Sequence, residues 1–234
     1  MSRPSPRSAA AAVFSTHGVV VTAADGLSQK LRDALASALQ AFCHAGDDAA
    51  EALTVARSPV PIGPAQLARS HPGSHRERQR AQAMYERCLQ HYRSRVPLTD
   101  ATDATDAADA TLPHDDVGAA LAHFVAANLA ALHGDPATPQ HLRRLERQLV
   151  AVVRPSAAWR QAAEQERQAY VEQLGIIAVL ISDCSTLARR QGAAAIAHVR
   201  RGARAYLRQL LGLDPDQLML DDGSGLALRP AATA

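Results

Sequence analysis

The sequence predicts an all-α protein: a compact bundle of about five or six helices around one long apolar central helix, with further helices N-terminal to it. Three observations predict it. Hydrophobic residues make up 47% of the 234 residues but aromatics only 3%, so alanine and leucine must supply the core, which favours close helix–helix contact. Apolar residues recur at three- and four-residue spacing along most of the chain. Runs of β-branched and aromatic residues, which would mark strands, are almost missing.

At the start, Arg3 and Arg7 precede a mildly apolar stretch over residues 9–21, and small residues follow at 22–24. That is the outline of a secretory signal, but His17 and Gly18 interrupt it. Residues 1–24 are therefore expected as a disordered or weak targeting-like segment, with a cytoplasmic location and export as the alternative. No run of about 18 strongly apolar residues is read, so no transmembrane segment is expected.

Residues 25–96 read as an N-terminal helical arm. Asp25 or Ser28 can cap a first helix, whose stripe is Leu27, Leu31, Leu35, Leu39 and Phe42. The prolines and glycines between Pro59 and Gly73 predict an extended connection. Ser74 then caps a second helix with Ala81, Met84, Tyr85, Cys88, Leu89 and Tyr92 on one face, and Pro97 ends it. A Thr-Asp-Ala repeat fills residues 97–111, too polar to bury, and predicts a solvated acidic linker.

The bundle domain is expected over residues 112–222. Asp115 or Asp116 opens its first helix, with Val117, Leu121, Phe124, Val125, Asn128 and Leu132 inward, and Gly134 stops it. Thr138 and Pro139 form a cap and first-turn pair ahead of Leu142, Leu145, Leu149 and Val152. Pro155 and Ser156 begin a short helix carrying Trp159. A helix over 164–190 follows, apolar on every side from Leu174 to Ile181, as a rod enclosed by other helices must be. Gly192 separates it from a last helix over 193–211, closed by Gly212. Leu218 and Leu220 pack before a disordered tail at 223–234.

The formal charge of +2 exerts no global pull toward nucleic acid or membrane. Lys30 is the single lysine, and the arginine bias fits a GC-rich genome. Cys43, Cys88 and Cys184 are odd in number and far apart, so no disulfide framework is expected. His71 and His75, or Cys88 and His91, have helical ligand spacing, but Pro72 breaks the first pair and neither shows paired zinc spacing. No metal or cofactor is therefore expected. Phosphate-loop and hydrolase motifs are not found.

Several pieces are similar, in order and spacing, to a catalogued bacterial family of unknown function. They are residues 120–128 (Ala120 through Phe124 to Asn128), Glu146-Arg147-Gln148, residues 167–174 (Arg167 through Glu172 to Leu174) and Gly212-Leu213-Asp214-Pro215. The likeness runs from Asp116 to Leu220. The resemblance implies a small all-helical domain, often exported, with no assigned activity, and with Asn128, Gln148 and Glu172 at the family's polar positions. This chain departs from the pattern in its interrupted N-terminal signal.

Periodicity also singles out Asn128, which falls on the apolar face of its helix beside Phe124 and Leu132. A buried amide left unpaired costs about 1–3 kcal/mol, and Gln148 and Glu172 are the polar groups offered to it. The preferred reading is a polar clamp that fixes helix register. The sharper reading is an enzyme pocket in which Glu172 acts as general acid or base. Between Ser185 and Leu211 there are six arginines and no acidic residue; Arg200, Arg204 and Arg208 share a face beside Arg201. That is a candidate anion-binding surface. A helix-turn-helix around residues 187–192 ranks low, since His198 takes a core position and the preceding helix is too long. The leading function is a non-catalytic binding or structural protein with an unidentified protein partner. An enzyme is second, and phosphate or nucleic-acid binding third.

Overall fold

The computed structural model describes residues 25–40, 53–56, 58–94, 115–221 and 225–229. The expected linker at 97–111 and the segment 1–24 lie outside the described residues. The chain is all-α with a minor strand pair. In order, the helices are α1 (Asp25–Gln40), α2 (Gly63–Ser70), α3 (His75–Ser94), α4 (Val117–His133), α5 (Pro139–Val153), α6 (Ala157–Gln161), α7 (Glu164–Gln191) and α8 (Ala193–Leu211). A 3-10 turn at Pro215–Gln217 leads into an antiparallel hairpin of β1 (Leu218–Asp221) and β2 (Gly225–Leu228), with Leu218 opposite Leu228.

Helix α7 is the centre, packed against α2, α3, α4 and α8. By length and composition it could cross a membrane, contrary to the expectation that no such run exists: its best 18-residue window has mean hydropathy 1.5. However, 72% of that window is buried inside the fold, so its neighbours are helices, as its all-round apolar character requires. Every described side chain from Gln168 to Ile181 is buried. The helices of the 25–96 region share this core: Leu31, Leu35, Tyr85 and Leu89 join Leu121, Leu174 and Ile177 in one cluster.

Caps set the helix ends. Asp116 accepts from the Ala119 N–H at 2.9 Å to start α4, and Gly134 ends it at φ 102°, a conformation that disfavours a side chain. Thr138 and His141 form a reciprocal capping box ahead of Pro139. Ser74 and Glu77 do the same for α3.

Two segments differ from expectation. The proline-rich connection contains α2, because Pro64 sits in the first turn, where it costs no hydrogen bond, and the Gln66–Arg69 stretch is helix-forming. No side chain of its own caps α2; its cap comes from far along the chain. Within the expected tail, residues 225–228 form β2, and Leu226 is buried against the core. The isolated pairing of Thr54 with Asp116 was equally unforeseen. Its bonds run from the Val55 N–H to the Asp115 carbonyl at 2.9 Å and from the Val117 N–H to the Leu53 carbonyl at 3.3 Å.

Candidate functional site

The densest polar constellation lies on the flank of α7 facing α2 and α3. Glu172 is buried to 3% exposure, and its carboxylate accepts four hydrogen bonds. One oxygen takes the backbone N–H groups of Ile62 and Gly63 at 2.8 and 2.7 Å. The other takes the Arg93 guanidinium at 2.8 Å and the Gln168 amide at 2.9 Å. Glu172 therefore supplies, from 109 residues away, the cap that α2 lacks, and its negative charge meets the positive end of that helix. A side chain at Gly63 would lie 2.7 Å from Glu172 Cβ, so glycine is what allows the two backbones to meet.

One turn earlier, Gln168 extends the grip. Its carbonyl accepts from the Ser58 N–H at 3.2 Å, and its amide also reaches the Val60 carbonyl at 3.2 Å. Between these groups lies a cleft of about 20 Å³, lined by Val55, Leu89, Tyr92, Arg93, Asp115 and Gln168, with Glu172 in its wall. That volume holds about one or two waters, against roughly 300–1,000 Å³ for a site that encloses a drug-sized ligand.

Beyond the cleft the Tyr92 hydroxyl lies 3.2 Å from His123 Nδ1, the two rings edge to face. Burial first, then the charges of Asp116, Asp115 and Glu146, push the Tyr92 phenol up, so it remains a hydroxyl. The ring of Tyr92 rests on α7 at Gly175.

The residues singled out from sequence go to separate places. Gln148 pairs with the backbone of Leu226 in both directions, donating to its carbonyl at 2.9 Å and accepting its N–H at 2.8 Å. A side-chain amide thus imitates a neighbouring strand and pins β2 to α5. Asn128 donates to the Phe124 carbonyl at 2.8 Å on its own helix, and its buried Oδ1 has no hydrogen-bond partner. Neither Gln148 nor Glu172 supplies that partner, because each is bound elsewhere. The cleft beside Glu172 is lined by neither Asn128 nor Gln148. Replacing Gln148 with Leu should strand both polar groups of Leu226 and cost about 2 kcal/mol. The check is amide exchange, with protection lost first at residues 225–228.

On α8, Arg204 holds Asp216 with two bonds, at 3.1 and 2.8 Å, and Arg208 lies 3.7 Å from Asp214. Arg200 and Arg201 are exposed, Arg201 lying 3.4 Å from His198 Nδ1. The four arginines are thus split at the surface, two paired with the aspartates of the 3-10 turn and two directed elsewhere. Among the described residues no group of three or more His, Cys, Asp or Glu has metal-binding geometry.

The sequence profile of a family of unknown function (DUF6683) matches residues 11–229. The chain belongs to the DUF6683 family. The match takes in α1, α2 and α3 as well as the segment from Asp116 to Leu220. No curated protein and no solved structure matches the chain. Within this DUF6683 member, Gln168, Arg93, Tyr92 and His123 were not anticipated as site residues. Gln168 and Glu172 sit four apart on one helix face, and that spacing, at which side chains meet, was the available signal.

Proposed function

We propose that this DUF6683 protein is a non-catalytic binding or structural protein, of bacterial origin, that engages an acidic protein partner through the basic outer face of α8. The observation that carries this reading is the saturation of Glu172. A carboxylate with four donors has no free lone pair directed at a substrate, and its bonds hold the chain to itself. The enzyme alternative, with Asn128, Gln148 and Glu172 around one polar pocket, finds no support in three groups that bond in three directions.

The surface offers what the interior does not. Arg200 and Arg201 are exposed on α8, and Arg189 and Arg190 are exposed at the end of α7. Phosphate or nucleic acid as the ligand is the second reading, favoured by the same exposure. Four arginines at most would release about four counterions, fewer than the 6–10 phosphate contacts of a protein that binds DNA strongly. A protein partner, which adds apolar contacts to the charge, needs fewer.

The test is a double replacement, Arg200→Glu with Arg201→Glu, in the intact protein. Captured partners should be lost while the melting temperature stays within about 2 °C, as for surface substitutions. Retention of every partner contradicts the reading, and so does salt-sensitive binding of a duplex oligonucleotide that the double variant abolishes. The same reading carries a cytoplasmic location, with export as the alternative; intact mass of the native protein tells a processed N-terminus from an unprocessed one.

A further inference from the structure

Three contacts fix how α3 lies on α7. Arg93 binds Glu172 at 2.8 Å, the Tyr92 ring rests on Gly175, and Cys88 is within electrostatic reach of Asp183. Going back along α3 therefore means going forward along α7, so the two helices run antiparallel. Arg80 precedes Cys88 by about 12 Å of helix, and Arg190 follows Asp183 by about 10 Å. The first turns of α3 and the last turn of α7 thus reach the same end of the bundle. Helix α8 starts there too, with Gly192 alone between it and α7, and packs along α7. Its Tyr206 is within electrostatic reach of Tyr85 on α3, which makes α3 and α8 neighbours around α7.

This end carries charge of one sign. Arg76 and Arg80 on α3, Arg189 and Arg190 on α7, and Arg200 and Arg201 on α8 are all exposed. Glu77 is the only acidic residue from Ser74 to Gln82, and none occurs from Cys184 to Arg208. The Glu77 carboxylate is already taken by the N–H and hydroxyl of Ser74. Among the described residues, Arg76, Arg189, Arg190 and Arg200 form no ion pair and no side-chain hydrogen bond. Six exposed like charges repel one another, and an anionic partner relieves that repulsion. The same face of α8 is apolar a turn or two earlier: Ala193, Ala194 and Ala197 are exposed, at helical spacing from Arg200 and Arg201. Six arginines reach only the lower edge of the roughly 6–10 phosphate contacts of strong DNA binding, and a phosphate backbone has nothing to lay on alanine methyl groups. A polypeptide with both acidic and apolar side chains matches both features.

We propose that this end of the bundle, built from α3, α7 and α8 together, is one docking surface for an acidic amphipathic helix of a partner protein. Its carboxylates meet the arginines, and its apolar side chains cover the alanines of α8. The inference rests on the acidic-partner reading of α8 and extends it, because Arg76 and Arg80 come from a helix far earlier in the chain. Neighbouring helix axes stand about 8–10 Å apart, so three of them present a face roughly 20 Å across. A partner helix of about 13 residues spans that width. It brings acidic and apolar side chains to one side at three- and four-residue spacing.

The experiment measures fluorescence anisotropy of a synthetic helical peptide of glutamate and leucine, about 20 residues long, with the full chain at low salt. Affinity should fall at least about tenfold in Arg76→Glu with Arg80→Glu, and equally in Arg200→Glu with Arg201→Glu. The melting temperature of each should stay within about 2 °C of the native value. Arg143→Glu with Arg160→Glu, on exposed positions of α5 and α6, changes the net charge equally and should alter affinity less than about twofold. A loss in the α8 pair but not in the α3 pair overturns the wider surface and leaves the α8 reading standing. No loss in either pair, or no binding by the native protein, overturns both. An equal loss in the α5 and α6 pair reduces the effect to net charge and overturns the site. A duplex oligonucleotide or a phosphatidylserine vesicle that binds more tightly than the peptide, and is released by the same variants, makes the ligand a phosphate and overturns the protein partner.

Discussion

Replacing Glu172 with Gln lowers the melting temperature by roughly 10 °C and frees the start of α2. The magnitude follows from what one atom does to four bonds. A glutamine has one acceptor oxygen for four donors: the Ile62 and Gly63 N–H groups, Arg93 and Gln168. Whichever way its amide turns, an NH2 group faces two donors, and Arg93 loses its counter-charge. Removing one partner of a buried ion pair costs about 3–5 kcal/mol. The Arg93 side chain is 25% exposed, so water recovers part of the loss and the lower end, about 3 kcal/mol, applies. For a chain of this size each kcal/mol moves the midpoint by about 2–4 °C. A calorimetric scan of the variant decides it. An unchanged midpoint, with some activity of the protein abolished, would return Glu172 to a chemical role.

Gly175→Ala should destabilise by about 1–3 kcal/mol despite placing the best helix former inside a helix. On propensity alone the change gains about 1 kcal/mol. The new carbon, however, would stand 2.5–2.8 Å from three ring atoms of Tyr92, which is itself buried. A shift of the buried ring disturbs the contact of its hydroxyl with His123 Nδ1 at 3.2 Å, and overpacking of this kind outweighs the propensity gain. The partner test is Tyr92→Leu in the same background. If the clash is the cause, the second change recovers part of the lost stability, and the two effects are non-additive. Strict additivity points to a different origin, within α7 itself.

The helices were legible because each obeys a local rule. Thr138 with Pro139 announced α5, glycines 134, 192 and 212 announced helix ends, and the all-apolar stretch of α7 announced its central place. What stayed hidden was whatever depends on distant groups. α2 is too short and proline-bounded to be read from its own residues, and its cap is a carboxylate on another helix. β2 is four residues long, and a glutamine amide on α5 completes its bonding. Periodicity marks the polar residues on apolar faces as needing partners, but which partners they take is a matter of tertiary geometry: Asn128, Gln148 and Glu172 share a pattern and not a place.

The account rests on the interior polar groups being fasteners. Site-resolved amide exchange at Ile62 and Gly63, compared between the native protein and Glu172→Gln, measures this most directly. Their protection should collapse in the variant by at least about tenfold, well before α7 itself opens, if the carboxylate is what holds them. Equal protection in the two proteins would mean that α2 stands without Glu172, and the carboxylate would need another purpose.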